Sequence, residues 1–117
     1  VNKQEIEDVI NLPPQCETVI YKGKPFRLRE LTEEQGVDYE LALQDKKGKF
    51  DIARMRRALI AYCLVDDDGN RVISDPDQLK TMRRSLASFL FQRCQALNNY
   101  DENELEGLIK NSEEAGS

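Results

Sequence analysis

The chain has 117 residues, of which 39% are hydrophobic and 33% charged, with no tryptophan and no histidine. That length suits one domain with a modest, mostly aliphatic core. A net charge of −5 argues against a general nucleic-acid binder, whose grip on phosphate rests on accumulated Lys and Arg, and the lack of histidine removes the usual general base near neutral pH.

Cys16, Cys63 and Cys94 are too far apart for a CxxC pair, and without histidine they make a poor zinc set. Two of them fall inside apolar helical patterns, where cysteine acts as a small hydrophobe, so reduced thiols are expected. No run of ~18 apolar residues and no basic-then-apolar leader is present, which points to a soluble chain of the cytoplasm rather than a membrane protein. The chain opens on Val1, as it would if an initiator methionine or a few leading residues had been removed.

Residues 2–11 hold a weak amphipathic turn or two through Ile6, Val9 and Ile10, which Pro13-Pro14 ends. Residues 17–21 and 26–31 flank Lys22-Gly23-Lys24-Pro25 and read as a β-hairpin with one apolar face, Phe26 and Leu28 alternating with Arg27 and Arg29. Pro25 cannot donate a ladder bond and belongs at a strand start or edge. Thr32-Glu33-Glu34-Gln35 is a capping box that opens a helix to about Gln44. Its apolar residues form two stripes, Val37 with Leu41 and Tyr39 with Leu43, and Gly36 weakens it by ~1 kcal/mol relative to alanine. Residues 45–49 form a charged linker.

A central helix is predicted over 51–64, with Ile52, Met55, Leu59, Tyr62 and Cys63 on one face. Asp75-Pro76-Asp77-Gln78 then caps a third helix. It runs to Asn98-Asn99 and carries Leu79, Met82, Leu86, Phe89, Leu90, Cys94 and Leu97 on one wide face, with Phe91 well off it. Residues 101–104 cap a last short helix containing Leu105, Leu108 and Ile109. The expected architecture is a mainly α (α+β) domain of about four helices with an N-terminal β-hairpin. Residues 1–15 form an arm, 16–110 the domain and 111–117 a polar tail.

Asp66, Asp68 and Gly69 have the look of a calcium loop, but neither register works. With Gly69 at the sixth position Leu64 stands where the first oxygen ligand belongs, and with Asp66 leading, Arg71 takes the glycine position. The plainer reading is a hairpin-like turn between Leu64-Val65 and Val72-Ile73, Gly69 taking a positive φ. Arg54, Arg56 and Arg57, echoed by Arg83 and Arg84, read as a helix face pairing with carboxylates, because no aromatic interleaving offers a stacking platform for bases. Arg83 and Arg93, inside an apolar arc, are expected to snorkel or pair with a carboxylate. No phosphate-cradling glycine loop and no nucleophile–base pattern is present, so the expectation is a protein that is not an enzyme and carries no cofactor and no metal. What remains is surplus apolar surface at Tyr39, Leu43, Phe91 and the last helix, read equally well as packing or as a surface for helix docking or self-association.

From Phe26 onward the order of parts resembles the tail assembly chaperones of long-tailed bacteriophages and prophages. The segments that carry the likeness are FRLREL leading into TEEQ, then ALIAYCLVDDDGNRVISDPDQL, then QALNNYDENELEGLIKNSEEAGS. It covers about residues 16–117, and the order and spacing of the segments carry it. The resemblance implies a protein of the bacterial host cytoplasm that binds the tape-measure protein, keeps it soluble for tail-tube polymerisation and is absent from the virion. It also implies self-association and, in relatives with a frameshifted longer form, contact with the tail-tube protein. The chain stops where the short form would. Contact residues expected on this reading are Tyr39 and Leu43, with Phe91 and Leu97 secondary. Two other classes stand beside it: a tail-completion or connector protein of the virion, and a small nucleic-acid-binding regulator.

Overall fold

The computed structural model describes residues 1–44 and 47–100. The last helix and polar tail expected from the sequence lie outside the described residues. Within them four helices and a three-stranded antiparallel sheet form an α+β domain: α1 Lys3–Ile10, β1 Cys16–Tyr21, β2 Lys24–Arg29, α2 Glu33–Ala42, α3 Ile52–Cys63, β3 Leu64–Val65 and α4 Arg84–Leu97, with a 3₁₀ turn at Pro76–Leu79.

The hairpin forms where the sequence places it, and its turn shows why. Lys22 and Gly23 both have positive φ, 49° and 77°, the signature of a two-residue type I′ turn whose twist matches the flanking strands. Tyr21 and Lys24 close that turn, and the register continues through Val19 with Phe26 and Glu17 with Leu28. The alternation sends Val19, Phe26 and Leu28 inward and Thr18, Ile20 and Arg27 outward. Pro25 falls beyond the reach of β3, which pairs with β2 only at Arg27 and Leu28, so its missing amide breaks no ladder bond.

Leu64 and Val65 are extended, as the hairpin-like turn required, and Val65 bridges back to Arg71 across it; their pairing with the hairpin was not expected. Leu64 and Val65 continue directly from α3 and add to the free edge of β2. The acidic turn then folds over the outer face of the sheet. Asp66 Oδ1 accepts from the amides of Asp68 (2.9 Å) and Asn70 (3.0 Å), and the Asp66 amide donates to the Asn70 carbonyl at 2.8 Å. Arg27 and Arg29 of β2 donate to the carbonyls of Asp67 (2.8 Å) and Gly69 (3.3 Å), fastening the turn to the strand. Gly69 has φ +84°, as the turn requires.

α2 starts at the capping box: the Gln35 amide donates to Thr32 Oγ1 at 3.2 Å, and Gln35 Oε1 accepts from the Thr32 amide at 3.0 Å. α3 is central, as expected, but its buried surface is not the predicted stripe. Ala58, Leu59, Ile60 and Ala61 are consecutive and all buried, so its second half is enclosed on every side, whereas Ile52 at its start is exposed. α2, α4 and the 3₁₀ turn pack around it.

The predicted third helix is broken. Its capping box exists, with Asp75 Oδ1 accepting from Asp77 and Gln78 Oε1 accepting from the Asp75 amide. It starts only the 3₁₀ turn. The Met82 amide bonds back three residues to Leu79, Arg83 is extended at ψ 135°, and α4 starts at Arg84. The break lets Leu79 and Met82 pack against the core, with the 3₁₀ turn lying on α3, where a straight helix would run past it. At its far end α4 closes in a Schellman motif: the Asn99 amide bonds to Ala96 O and the Tyr100 amide to Gln95 O, with Asn99 at φ 57°. The asparagine pair therefore ends the helix, as read, and Tyr100 is turned back onto the core beside Tyr39, ring centroids 5.9 Å apart.

The candidate partner-binding surface

Three of the four side chains expected to contact a partner are core residues. Tyr39 and Leu43 are 0% and 1% exposed, and Phe91 is 7% exposed. Leu97 is half-buried against the same core. The burial has a physical cause in each case. Of the two stripes of α2, the one with Tyr39 and Leu43 faces the protein, where Tyr39 meets Tyr62 edge-on at 6.2 Å. α4 lies between the sheet and α3, so Phe89, Leu90 and Phe91 find neighbours over a wide arc. Phe89 stacks near Tyr21 of β1 at 5.3 Å, while Phe91 lies beneath the Arg56 guanidinium of α3 at 5.5 Å.

Tyr39 brings a phenol into this core. Its hydroxyl meets no hydrogen-bond partner among the described residues. Burial first, and the neighbouring Tyr100 next, push its ionisation far above the ordinary tyrosine range. It therefore stays neutral and acts as a bulky apolar anchor.

The exposed surface runs along the other stripe. Val37 is 46% and Leu41 60% exposed, on a helix whose remaining outer residues include Glu33, Glu34, Asp38 and Glu40. None of the ion pairs among the described residues uses these carboxylates. Beside Val37 lies an open cleft of about 220 Å³, lined by Glu30, Glu33, Glu40, Leu31 and Tyr100 among others. A surface of this kind suits an apolar side chain flanked by lysine or arginine on the partner. α1 adds apolar surface of its own: none of its residues is buried, and Ile6, Val9 and Ile10 are exposed together with Leu12. The N-terminal turn is thus a complete helix of eight residues, capped by Asn2, whose side chain accepts from the Glu5 amide.

The basic patch is dispersed by the fold. Arg54 reaches Asp77 at 4.0 Å, and Arg56 donates to Ser88 Oγ at 2.8 Å on α4. Arg93 pairs with Glu17 at 3.9 Å while covering Phe89, as its place in an apolar arc predicted. Asp66 turns its Oδ1 to backbone amides.

Cys63 and Cys94 touch within the core. Cys94 donates its thiol proton toward Cys63, and this bond with burial pushes the Cys94 thiol up. The same bond, and the Asn98 Nδ2 donor at 3.3 Å, lower Cys63. Asn98 joins three elements: its Oδ1 accepts from the Leu31 amide at 2.8 Å and its Nδ2 also donates to the Cys94 carbonyl at 2.9 Å. The sequence marked Asn98 only as a helix breaker, and nothing in its spacing signals the link to Leu31.

Comparison with protein-family models, with curated proteins and with solved structures finds no match to the chain. Among the described residues no helix is long and apolar enough to cross a membrane.

Proposed function

We propose that this chain is a tail assembly chaperone of the kind made by long-tailed phages and prophages. In that role it binds the tape-measure protein in the host cytoplasm, keeps it soluble while tail-tube subunits polymerise, and leaves before the virion is complete. The observation that carries the reading is the uncovered Val37–Leu41 stripe on an acidic helix beside an acidic cleft. It offers two apolar side chains of modest area, which suits weak contacts repeated along a long partner, so that release remains easy while many copies together hold firmly. The order of motifs in the sequence supplies the rest of the support. The engagement of Arg54 and Arg56 inside the fold favours a protein partner over a nucleic acid.

Co-expression with the tape-measure protein and affinity capture test this directly. The tape-measure protein should co-purify with the wild-type chain and be lost with Val37→Lys or Leu41→Lys, both of which should keep the wild-type unfolding temperature. Failure of the wild-type chain to capture it, or recovery of the chain in stoichiometric amount from purified particles, overturns the proposal. The latter result would favour a structural tail component.

A further inference from the structure

We propose that two copies of this chain pair through the open edge of β1, strand against strand, in an antiparallel two-fold arrangement centred on Thr18. Among the described residues β1 is an outer strand of the sheet, with β2 on one side only. The hairpin register decides which of its backbone groups are free. Tyr21 with Lys24 closes the two-residue turn as a hydrogen-bonded pair, so Val19 and Glu17 also bond to β2, and the Glu30 amide continues that ladder to the Gln15 carbonyl at 2.8 Å. The amides and carbonyls of Cys16, Thr18 and Ile20 therefore point away from the sheet.

That edge lacks the usual protection. Strands at the rim of a sheet are ordinarily guarded by lysine, proline or a bulge. β1 has none of these, and the three side chains in question, Cys16, Thr18 and Ile20, are uncharged and exposed, Ile20 to 67%. A second copy fits this edge better than a generic strand because the pairing is self-complementary. With Thr18 opposite the partner copy's Thr18, each Ile20 faces a Cys16, and all three free backbone positions of each strand find partners. Threonine opposite threonine and apolar opposite apolar are favourable cross-strand pairs. No like charges meet along the strand.

The ends match as well. Antiparallel pairing lays the hairpin tip of one copy, with Lys22 and Lys24, beside the start of the other copy's strand. There Glu30 accepts from the Gln15 amide at 3.1 Å, and the acidic α1, with Glu5, Glu7 and Asp8, precedes it in the chain. Basic tip against acidic base, twice by symmetry, selects the antiparallel orientation.

The test combines association and register. The purified full chain should sediment as a dimer, and Ile20→Lys and Thr18→Pro should each weaken dimerisation by about tenfold or more while keeping wild-type circular dichroism. Ile20→Cys, with native Cys16 retained, should give a disulfide-linked dimer under mild oxidation, since a hydrogen-bonded antiparallel pair holds its Cα atoms about 5.5 Å apart, inside the disulfide range. Within one strand the two thiols stand four residues apart and cannot join. Adding Cys16→Ser should abolish the cross-link. A monomeric wild-type chain, a dimer that survives Ile20→Lys but is lost with Leu41→Lys, or cross-linking that persists in Ile20→Cys/Cys16→Ser would each overturn the proposal.

Discussion

Replacing Asn98 with alanine should destabilise the domain by about 2–3 kcal/mol, although Asn98 is only half-buried. Among the described residues its carboxamide is the sole acceptor, at 2.8 Å, for the Leu31 amide, at the point where β2 gives way to the cap of α2. A half-buried amide left without a partner costs about 1–2 kcal/mol, the lower part of the range for a fully buried one, and the lost donation to the Cys94 carbonyl adds about 1. At about 4 °C per kcal/mol for a domain of this size, the unfolding temperature should fall by roughly 8–12 °C. Urea unfolding monitored by tyrosine fluorescence measures the change, with an unaltered m-value showing that the native fold persists. Asn98→Asp is the sharper control. It keeps the acceptor for Leu31 but sets a second oxygen against the Cys94 carbonyl, so its deficit at neutral pH should shrink as the pH is lowered and the carboxyl regains a proton to donate. If Asn98→Ala loses less than about 0.5 kcal/mol, or if Asn98→Asp is as stable as wild type at pH 7, the side chain does not couple α4 to the start of α2.

Tyr39→Phe should be neutral or stabilise by up to about 1 kcal/mol, because the hydroxyl is buried without a partner among the described residues; a loss above that size in thermal unfolding would reveal a partner for it. Gly36→Ala should raise stability by about 0.5–1 kcal/mol, since among the described residues a Cβ there meets only Tyr100 Oη at 3.7 Å, an ordinary contact, while helix propensity improves; a lowered unfolding temperature would contradict this. Asp66→Asn should be nearly silent because one oxygen accepts both amide bonds, whereas Asp66→Ala should cost about 1–2 kcal/mol, and equal losses for the two would show that charge rather than the hydrogen bonds holds the turn. Gly69→Val should cost more than about 1 kcal/mol through its positive φ alone, read by the same denaturation assay.

Local signals carried most of the fold. The type I′ turn at Lys22-Gly23, both capping boxes and the Asn98-Asn99 stop are short-range patterns, each satisfied by atoms within a few residues, and each stands where the sequence places it. The readings that needed tertiary knowledge fared differently. Two stripes on α2 are equivalent in periodicity, and only the position of α3 decides that Tyr39 turns inward and Leu41 outward. Phe91 looked misplaced because one packing face was assumed for α4, which has the sheet on one side and α3 on the other. The break at residues 80–83 has no proline or glycine to announce it and follows from the way the 3₁₀ turn lies on α3. The extended Leu64-Val65 was legible as an arm of the acidic turn, but its pairing with β2 was not, because two residues are too few for alternation to show which edge they join.

The charge on α2 bears on both surfaces at once. A domain of this thickness buries one stripe of a two-striped helix, so Val37 and Leu41 are left outside as a consequence of the pattern that puts Tyr39 and Leu43 within. Left bare, such a stripe invites the same stripe on another copy. Glu33, Glu34, Asp38 and Glu40 oppose that, because two α2 helices brought face to face would set four carboxylates against four with no basic residue in either helix. A partner that brings its own lysines or arginines meets attraction at the same place. Self-pairing must then use a surface where the chain does not repel itself, and the uncharged edge of Cys16, Thr18 and Ile20, with lysines at one end and carboxylates at the other, meets that condition. On the two proposals, charge on the helix and its absence on the strand divide partner binding from self-association without any change in fold.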